Sequence, residues 1–317
     1  MLVSRLQGTR ETRYIDLDQG AAVTNIDDYR TTGGAAVAQK RGERLMKSIL
    51  LQLADDDRKD VRMNMALALA ARHQSHVIGF CAVQTVYYSG YAMAQVPASV
   101  IDNLRNEALE KAGHLVEQFN RACEREGLAF ESRIVEGDPV GLLAAQSRVC
   151  DLVVVGQPDP QTTSDAGAEA IANELVLNAA CPVLLMPYAG RFDSLGKRVL
   201  LAWNDSREAS RAVRDALPIL KHADKVTVLT VNPPRSEQVA GADVAAYLAR
   251  HGVKAETSQT AAKDIDIGDV LVSAISDHDA DFLVMGAWGH SRFREMMLGG
   301  ATRGVLQQMT APTFMSH

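Results

Sequence analysis

From Met46 onward the chain repeats itself, and a duplicated sequence constrains the fold to two copies of one unit. Lys47-Ser-Ile-Leu-Leu-Gln-Leu-Ala-Asp55-Asp56 aligns with Lys197-Arg-Val-Leu-Leu-Ala-Trp-Asn-Asp205-Ser206, 150 positions on. Asp151-Leu-Val-Val-Val-Gly156 aligns with Asp281-Phe-Leu-Val-Met-Gly286, and Cys181-Pro182-Val-Leu-Leu-Met186 with Ala311-Pro312-Thr-Phe-Met-Ser316, both 130 positions on. Three matched segments in one order mark a duplication. The 20 residues by which the offset shrinks lie mostly after the second strand, where the first repeat spends residues 85–126 and the second about 232–251. This divides the chain into a first domain, 46–190, and a second, 196–317. Residues 1–45 mix charges with Gly and Thr, show no sustained periodicity, and read as a tail, disordered or preceding the native start.

Each repeat alternates strand and helix. The apolar runs Ile49–Leu53, Val77–Val83, Val153–Val155, Val199–Trp203, Val226–Val231 and Phe282–Met285 are continuous. Continuous runs belong to strands buried on both faces, as in a parallel sheet. Asp60–His73 and Ala98–Glu126 carry apolar residues at helical spacing, and Gly127 and Gly252 stand where helices should stop. The expected architecture is α/β: two tandem doubly wound domains, each a five-stranded parallel sheet flanked by helices. Ligands of such sheets sit beyond the carboxyl ends of the strands, where strand order reverses.

Composition narrows the function. The net charge of −6 argues against binding nucleic acid through bulk charge. No apolar stretch approaches the roughly 18 residues of a membrane span, and the first residues lack a signal core, so the expected compartment is the cytoplasm. Cys81, Cys123, Cys150 and Cys181 are too scattered for a metal site or a disulfide framework and read as buried, reduced thiols. No nucleophile elbow is present; His290-Ser291 has no identifiable partner acid, and Ser194-x-x-Lys197 lies in the inter-repeat linker. No catalytic and no metal-binding residue is assigned. Asp55-Asp56-Asp57 reads as a helix cap, as does Asp205 with Glu208 three residues on, and Asp138-Pro139 as a further helix start.

The segment after the fourth strand of the second repeat differs. Gly286-Ala-Trp-Gly289 is followed, nine residues later, by Gly299-Gly300-Ala301-Thr302, opening a helix over roughly Ala301–Met309. Glycines let backbone approach an anion, and a helix start offers free N–H groups to it. Arg292 in the intervening loop would neutralise a phosphate. The first repeat keeps Gly156 but has Asp159 in place of the second glycine and two prolines, which remove donors.

In these segments the chain resembles the universal stress protein family, in its tandem two-domain form, over about residues 46–317. The ATP-binding members of that family carry Gly-x2-Gly-x9-Gly-Ser/Thr after strand four. Gly286, Gly289 and Gly299 match, Gly300 stands where the hydroxyl residue should be, and Thr302 matches a frequent hydroxyl position. Those members also place an Asp at the end of strand one against the adenine edge; the equivalent here is Asn204. The resemblance thus implies an adenine nucleotide, ATP or AMP, in the second domain. The implied nucleotide-binding residues are Ala202, Asn204, Val231, Met285, Gly286, Gly289, Arg292, Gly299, Gly300, Ala301 and Thr302, with Asn204 and the Val231 backbone toward the adenine. It implies a role in stress adaptation. The alternatives are a dimeric interaction protein that binds no nucleotide and a weak ATPase. Unpaired edges of the last strands, Val183–Met186 and Thr313–Met315, are expected to pair with each other as an internal pseudo-dimer or across a homodimer.

Overall fold

The computed structural model describes residues 12–15, 46–84, 97–159, 166–233, 239–287 and 300–317. The first domain contains β2 (Ser48–Gln52), α1 (Lys59–His73), β3 (His76–Val83), α2 (Ala98–Arg125), β4 (Phe130–Glu136), α3 (Pro139–Ser147), β5 (Leu152–Gly156), α4 (Ala166–Asn178) and β6 (Val183–Met186). The second contains β7 (Arg198–Ala202), α5 (Arg207–Leu220), β8 (Lys225–Val231), α6 (Ala242–Arg250), β9 (Ala255–Thr260), α7 (Ile267–Asp277), β10 (Phe282–Gly286), α8 (Gly300–Gln308) and β11 (Thr313–Ser316). One more strand, β1 (Thr12–Ile15), lies in the segment read as a tail and pairs in parallel with β4.

All eleven strands form one sheet in the order β1-β4-β3-β2-β5-β6-β11-β10-β7-β8-β9. Within each half the strands run in parallel in the order third, second, first, fourth, fifth. Strand order therefore reverses between β2 and β5, and again between β7 and β10. Each last strand is the outer strand of its half, and the two meet: β11 pairs antiparallel with β6, Phe314 opposite Leu184. The internal pairing of the two halves is thus present in the single chain.

Alternate residues of the continuous apolar strands feed two cores, one on each face of the sheet. Ile49, Leu51, Leu152 and Val154 face α1, α2, α5 and α6. Leu50, Val153, Val155 and Leu185 face α3, α4, α7 and α8. Both cores run through both halves. An aspartate fixes the start of the first strand in each half. Asp151 accepts from the Lys47 and Ser48 amides at 2.7 and 2.9 Å, and Asp281 from the Arg198 amide at 2.8 Å and the Ser194 hydroxyl at 2.5 Å. That contact explains the Asp common to both repeats, and it gives Ser194 a structural partner.

Helix ends follow the local chemistry with two corrections. Gly127 and Gly252 take φ of +63° and +80° just past α2 and α6, the left-handed turn that glycine permits. Asp138 caps α3 through the Gly141 amide, with Pro139 in the first turn. The cap of α5 is Ser206, which accepts from the Ala209 amide at 3.0 Å, and not Asp205, which is left-handed at φ 58°. The acids before α1 also do not cap it. Asp55 pairs with Lys59 and Asp56 with Arg62.

Candidate functional site

The carboxyl ends of β7, β8 and β10 meet on one edge of the second half. Ala202 stands opposite Leu229 in register, two residues before Val231, and Leu201 stands opposite Val284, two before Gly286. The sequence candidates Ala202, Asn204, Val231, Met285 and Gly286 therefore share the edge where strand order reverses, which is where doubly wound sheets hold ligands. Helix α8 begins at Gly300, so Gly300, Ala301 and Thr302 form its first turn. Gly289, Arg292 and Gly299 lie outside the described residues.

The side chains at this edge have distinct tasks. Asn204 is exposed, and its Oδ1 accepts from the Ser206 amide at 3.2 Å, closing a turn that seats Ser206 as the α5 cap. Met285 is 4% exposed and packs into the core, so only its backbone faces the edge. Thr302 is 3% exposed and makes contacts within the protein. Asp266 caps α7 through the Gly268 amide at 2.7 Å. Its second carboxylate oxygen lies 3.1 Å from where a Cβ on Gly300 would stand. A side chain at 300 would thus sit close against a carboxylate.

Gly286 is required by packing. A Cβ there would stand 2.5 Å from the Glu208 carbonyl carbon and closer still to the Ala209 nitrogen, so the first turn of α5 lies directly on the strand end. The equivalent glycine of the first half, Gly156, makes room for something else. A Cβ on Gly156 would lie 2.5 Å from Nη1 of Arg62. Arg62 is 2% exposed. Its Nε donates to the Gln52 carbonyl and its Nη2 to the Ala54 carbonyl, both at 3.2 Å, and its Nη1 pairs with Asp56 at 2.8 Å. A guanidinium with its own counter-ion thus fills the gap between β2 and β5, where the first half would hold a ligand. Ala212 occupies the corresponding position of the second repeat. The signal for Arg62 was available in sequence as a charged residue on an apolar helix stripe whose repeat partner is alanine.

A second residue missed in sequence joins the halves. Gln157 is 6% exposed. It donates to the Leu306 carbonyl of α8 at 2.8 Å and accepts from the Tyr188 amide at 3.1 Å. Among the described residues no group of three or more His, Cys, Asp or Glu side chains is placed to hold a metal ion, and no helix is long and apolar enough to cross a membrane.

Compared by sequence with curated proteins, the chain matches none. Solved structures share its architecture. A universal stress protein from Archaeoglobus fulgidus DSM 4304 is 15% identical, with a TM-score of 0.69 over 86% of this chain and 96% of that one. A functionally unknown protein from Pseudomonas aeruginosa PAO1 is 16% identical, with a TM-score of 0.56 over 86% of this chain and 92% of that one. At such identities the likeness is one of fold. The sequence profile of the universal stress protein family matches residues 46–187 and again 196–317. Those two matches take in each half of the duplicated sheet, and the chain belongs to the universal stress protein family.

Proposed function

We propose that the second domain binds an adenine nucleotide, ATP or AMP, at the carboxyl edge of β7, β8 and β10, and that the protein serves stress adaptation as a nucleotide-responsive regulator. The observation that carries this reading is the convergence of Ala202, Asn204, Val231 and Gly286 on one sheet edge at the reversal of strand order. The amino end of α8, at Gly300 and Ala301, would face an anion there. The Asn204 amide presents both a donor and an acceptor to a base edge, although its acceptor also serves the Ser206 turn. The first domain is assigned no nucleotide, because Arg62 and Asp56 fill the equivalent gap. Calorimetric titration with ATP and AMP is expected to give one site per chain. Gly289→Asp, which recreates the acid of the first repeat, is expected to abolish that site without lowering the melting temperature. An unchanged affinity in this variant rejects the assignment.

One observation favours a second reading, an interaction protein without nucleotide. The missing Cβ of Gly286 already serves the packing of α5, so this glycine needs no ligand to account for it. An absence of heat with either nucleotide at millimolar concentration selects this reading.

A further inference from the structure

At the opposite edge of the sheet, the amino ends of β5 and β6 and the flank of α5 line a half-open cavity of about 160 Å³ between the two halves. Its walls carry Cys150 and Cys181 from the first half and Arg211 and Asp215 from the second. Both cysteines are free and half-buried, unlike Cys81 and Cys123, which are buried in the opposite core. Strands β5 and β6 are parallel neighbours with Val153 opposite Val183. Continuing that register places Cys181 opposite Asp151, one step from Cys150. Neighbouring strands run about 4.8 Å apart, within the roughly 4.4–6.8 Å between Cα atoms that a disulfide accepts, and Cys150 and Cys181 stand just before the starts of two such neighbours. Strict alternation would turn the two side chains to opposite faces. Cys150, however, precedes the strand in a turn, its amide donating to the Ser147 carbonyl, and both cysteines pack against the same core.

We infer that Cys150 and Cys181 are an oxidative modification site, closing to an intramolecular disulfide in the wall of the inter-domain cavity when hydrogen peroxide enters it. The Cys150 sulfur attacks the peroxide, the O–O bond breaks, and a sulfenic acid and water form. The Cys181 sulfur then displaces the hydroxyl from that sulfur, giving the disulfide and a second water. Two thiols lose two electrons and two protons, and hydrogen peroxide is reduced to two waters. Burial raises the Cys150 thiol to about 11, with Arg133 opposing, and the Cys181 thiol to about 12, with Cys150, Asp151 and Asp215 adding to the rise. Arg133 favours the Cys150 thiolate while Asp151 and Asp215 disfavour that of Cys181, which assigns the attack to Cys150. Because the thiolate reacts, the rate is expected to climb roughly tenfold per pH unit between pH 7 and 9.

The test uses the intact protein and millimolar hydrogen peroxide. Both cysteines fall on one tryptic peptide, residues 149–191, and cleavage after Glu169 and Glu174 separates them. The expected product is 2 Da lighter than the reduced chain. Its 149–169 and 175–191 fragments stay joined until reductant is added, while Cys81 and Cys123 remain alkylatable after denaturation. In Cys181→Ser the mass loss disappears and a sulfenic-acid probe labels Cys150. Fragments that separate without reductant, after peroxide has consumed the thiols or has left them intact, overturn the inference.

Discussion

A guanidinium taken out of water is costly unless acceptors surround it, so the 2% exposure of Arg62 makes its three partners essential to the first half. Removing one partner leaves the charge in place, whereas removing the charge itself leaves two carbonyls and the part-exposed Asp56 carboxylate. Asp56→Ala is therefore expected to destabilise the protein by about 1–2 kcal/mol, the lower part of the range for a hydrogen bond to a charged group. Asp56 is 35% exposed, and water replaces some of what is lost. Arg62→Met, which keeps the volume without the charge, is expected to cost less, and the double variant should cost less than the sum of the two single variants, the Arg58 amide still losing its bond to Asp56. Urea unfolding midpoints decide the order; a larger loss from Arg62→Met would mean that the bonds to Gln52 and Ala54 dominate. The same residue shows why part of the site was illegible in sequence. Glycine spacing after strand four could be read, but the use of each glycine could not. Gly156 admits a side chain and Gly286 admits backbone, because the neighbour that closes on each comes from another element. Asp205 was misread as a cap for a related reason. The Asn204 turn shifts the cap by one residue, to Ser206.

At the scale of elements, legibility followed burial. Strands enclosed on both faces read as continuous apolar runs. The two strands with weak signals, β4 (Phe-Glu-Ser-Arg-Ile-Val-Glu) and β9 (Ala-Glu-Thr-Ser-Gln-Thr), lie third in their repeats, at or next to the sheet edge, and carry exposed or half-exposed positions. Four-residue β1 gave no sequence signal, since its pairing with β4 is a tertiary event. Contacts between helix ends were equally hidden. The carboxyl ends of α1 and α5 bring His73 and His222 to a ring separation of 5.4 Å across the junction of the halves. The His73 Nε2 is buried without a hydrogen-bond partner among the described residues. Burial, then the charges of His222, Arg72 and Lys47, push His73 from 6.5 down to about 4. Above pH 6.5 the imidazole is neutral whether the chain is folded or unfolded. Between pH 6.5 and 4 the unfolded chain takes up a proton that the folded chain refuses, so stability falls as the pH falls through that window. His76, lowered by its own burial, acts in the same direction. Urea midpoints measured at pH 7.5, 5.5 and 4.5 are expected to decline, and His73→Gln to decline less steeply. Parallel slopes for the two proteins would remove His73 as a source of the acid sensitivity.

For the whole molecule, the duplication raised a question that sequence left open: whether the two last strands pair with each other or with those of another chain. Pairing of β6 with β11 answers it within the chain. The join is reinforced from three directions. Gln157 reaches the Leu306 carbonyl, Arg72 donates to the Leu195 carbonyl at 2.9 Å, and both cores cross the boundary. The covalent link between the halves, residues 187–197, is held to the first half through the Arg58–Gly190 and Arg72–Leu195 bonds and is exposed at Ala189, Gly190 and Arg191. Once the halves are docked, the connecting peptide mainly raises their effective concentration. Cutting it should therefore leave the assembly intact. A specific protease site placed between Gly190 and Arg191 tests this. After cleavage the two fragments are expected to co-elute at the mass of one uncut chain under native conditions and to separate only in denaturant. Co-elution at twice that mass would add a contact between chains to the internal join. Separation under native conditions would show that the antiparallel pair and its flanking contacts hold the halves only while the linker tethers them.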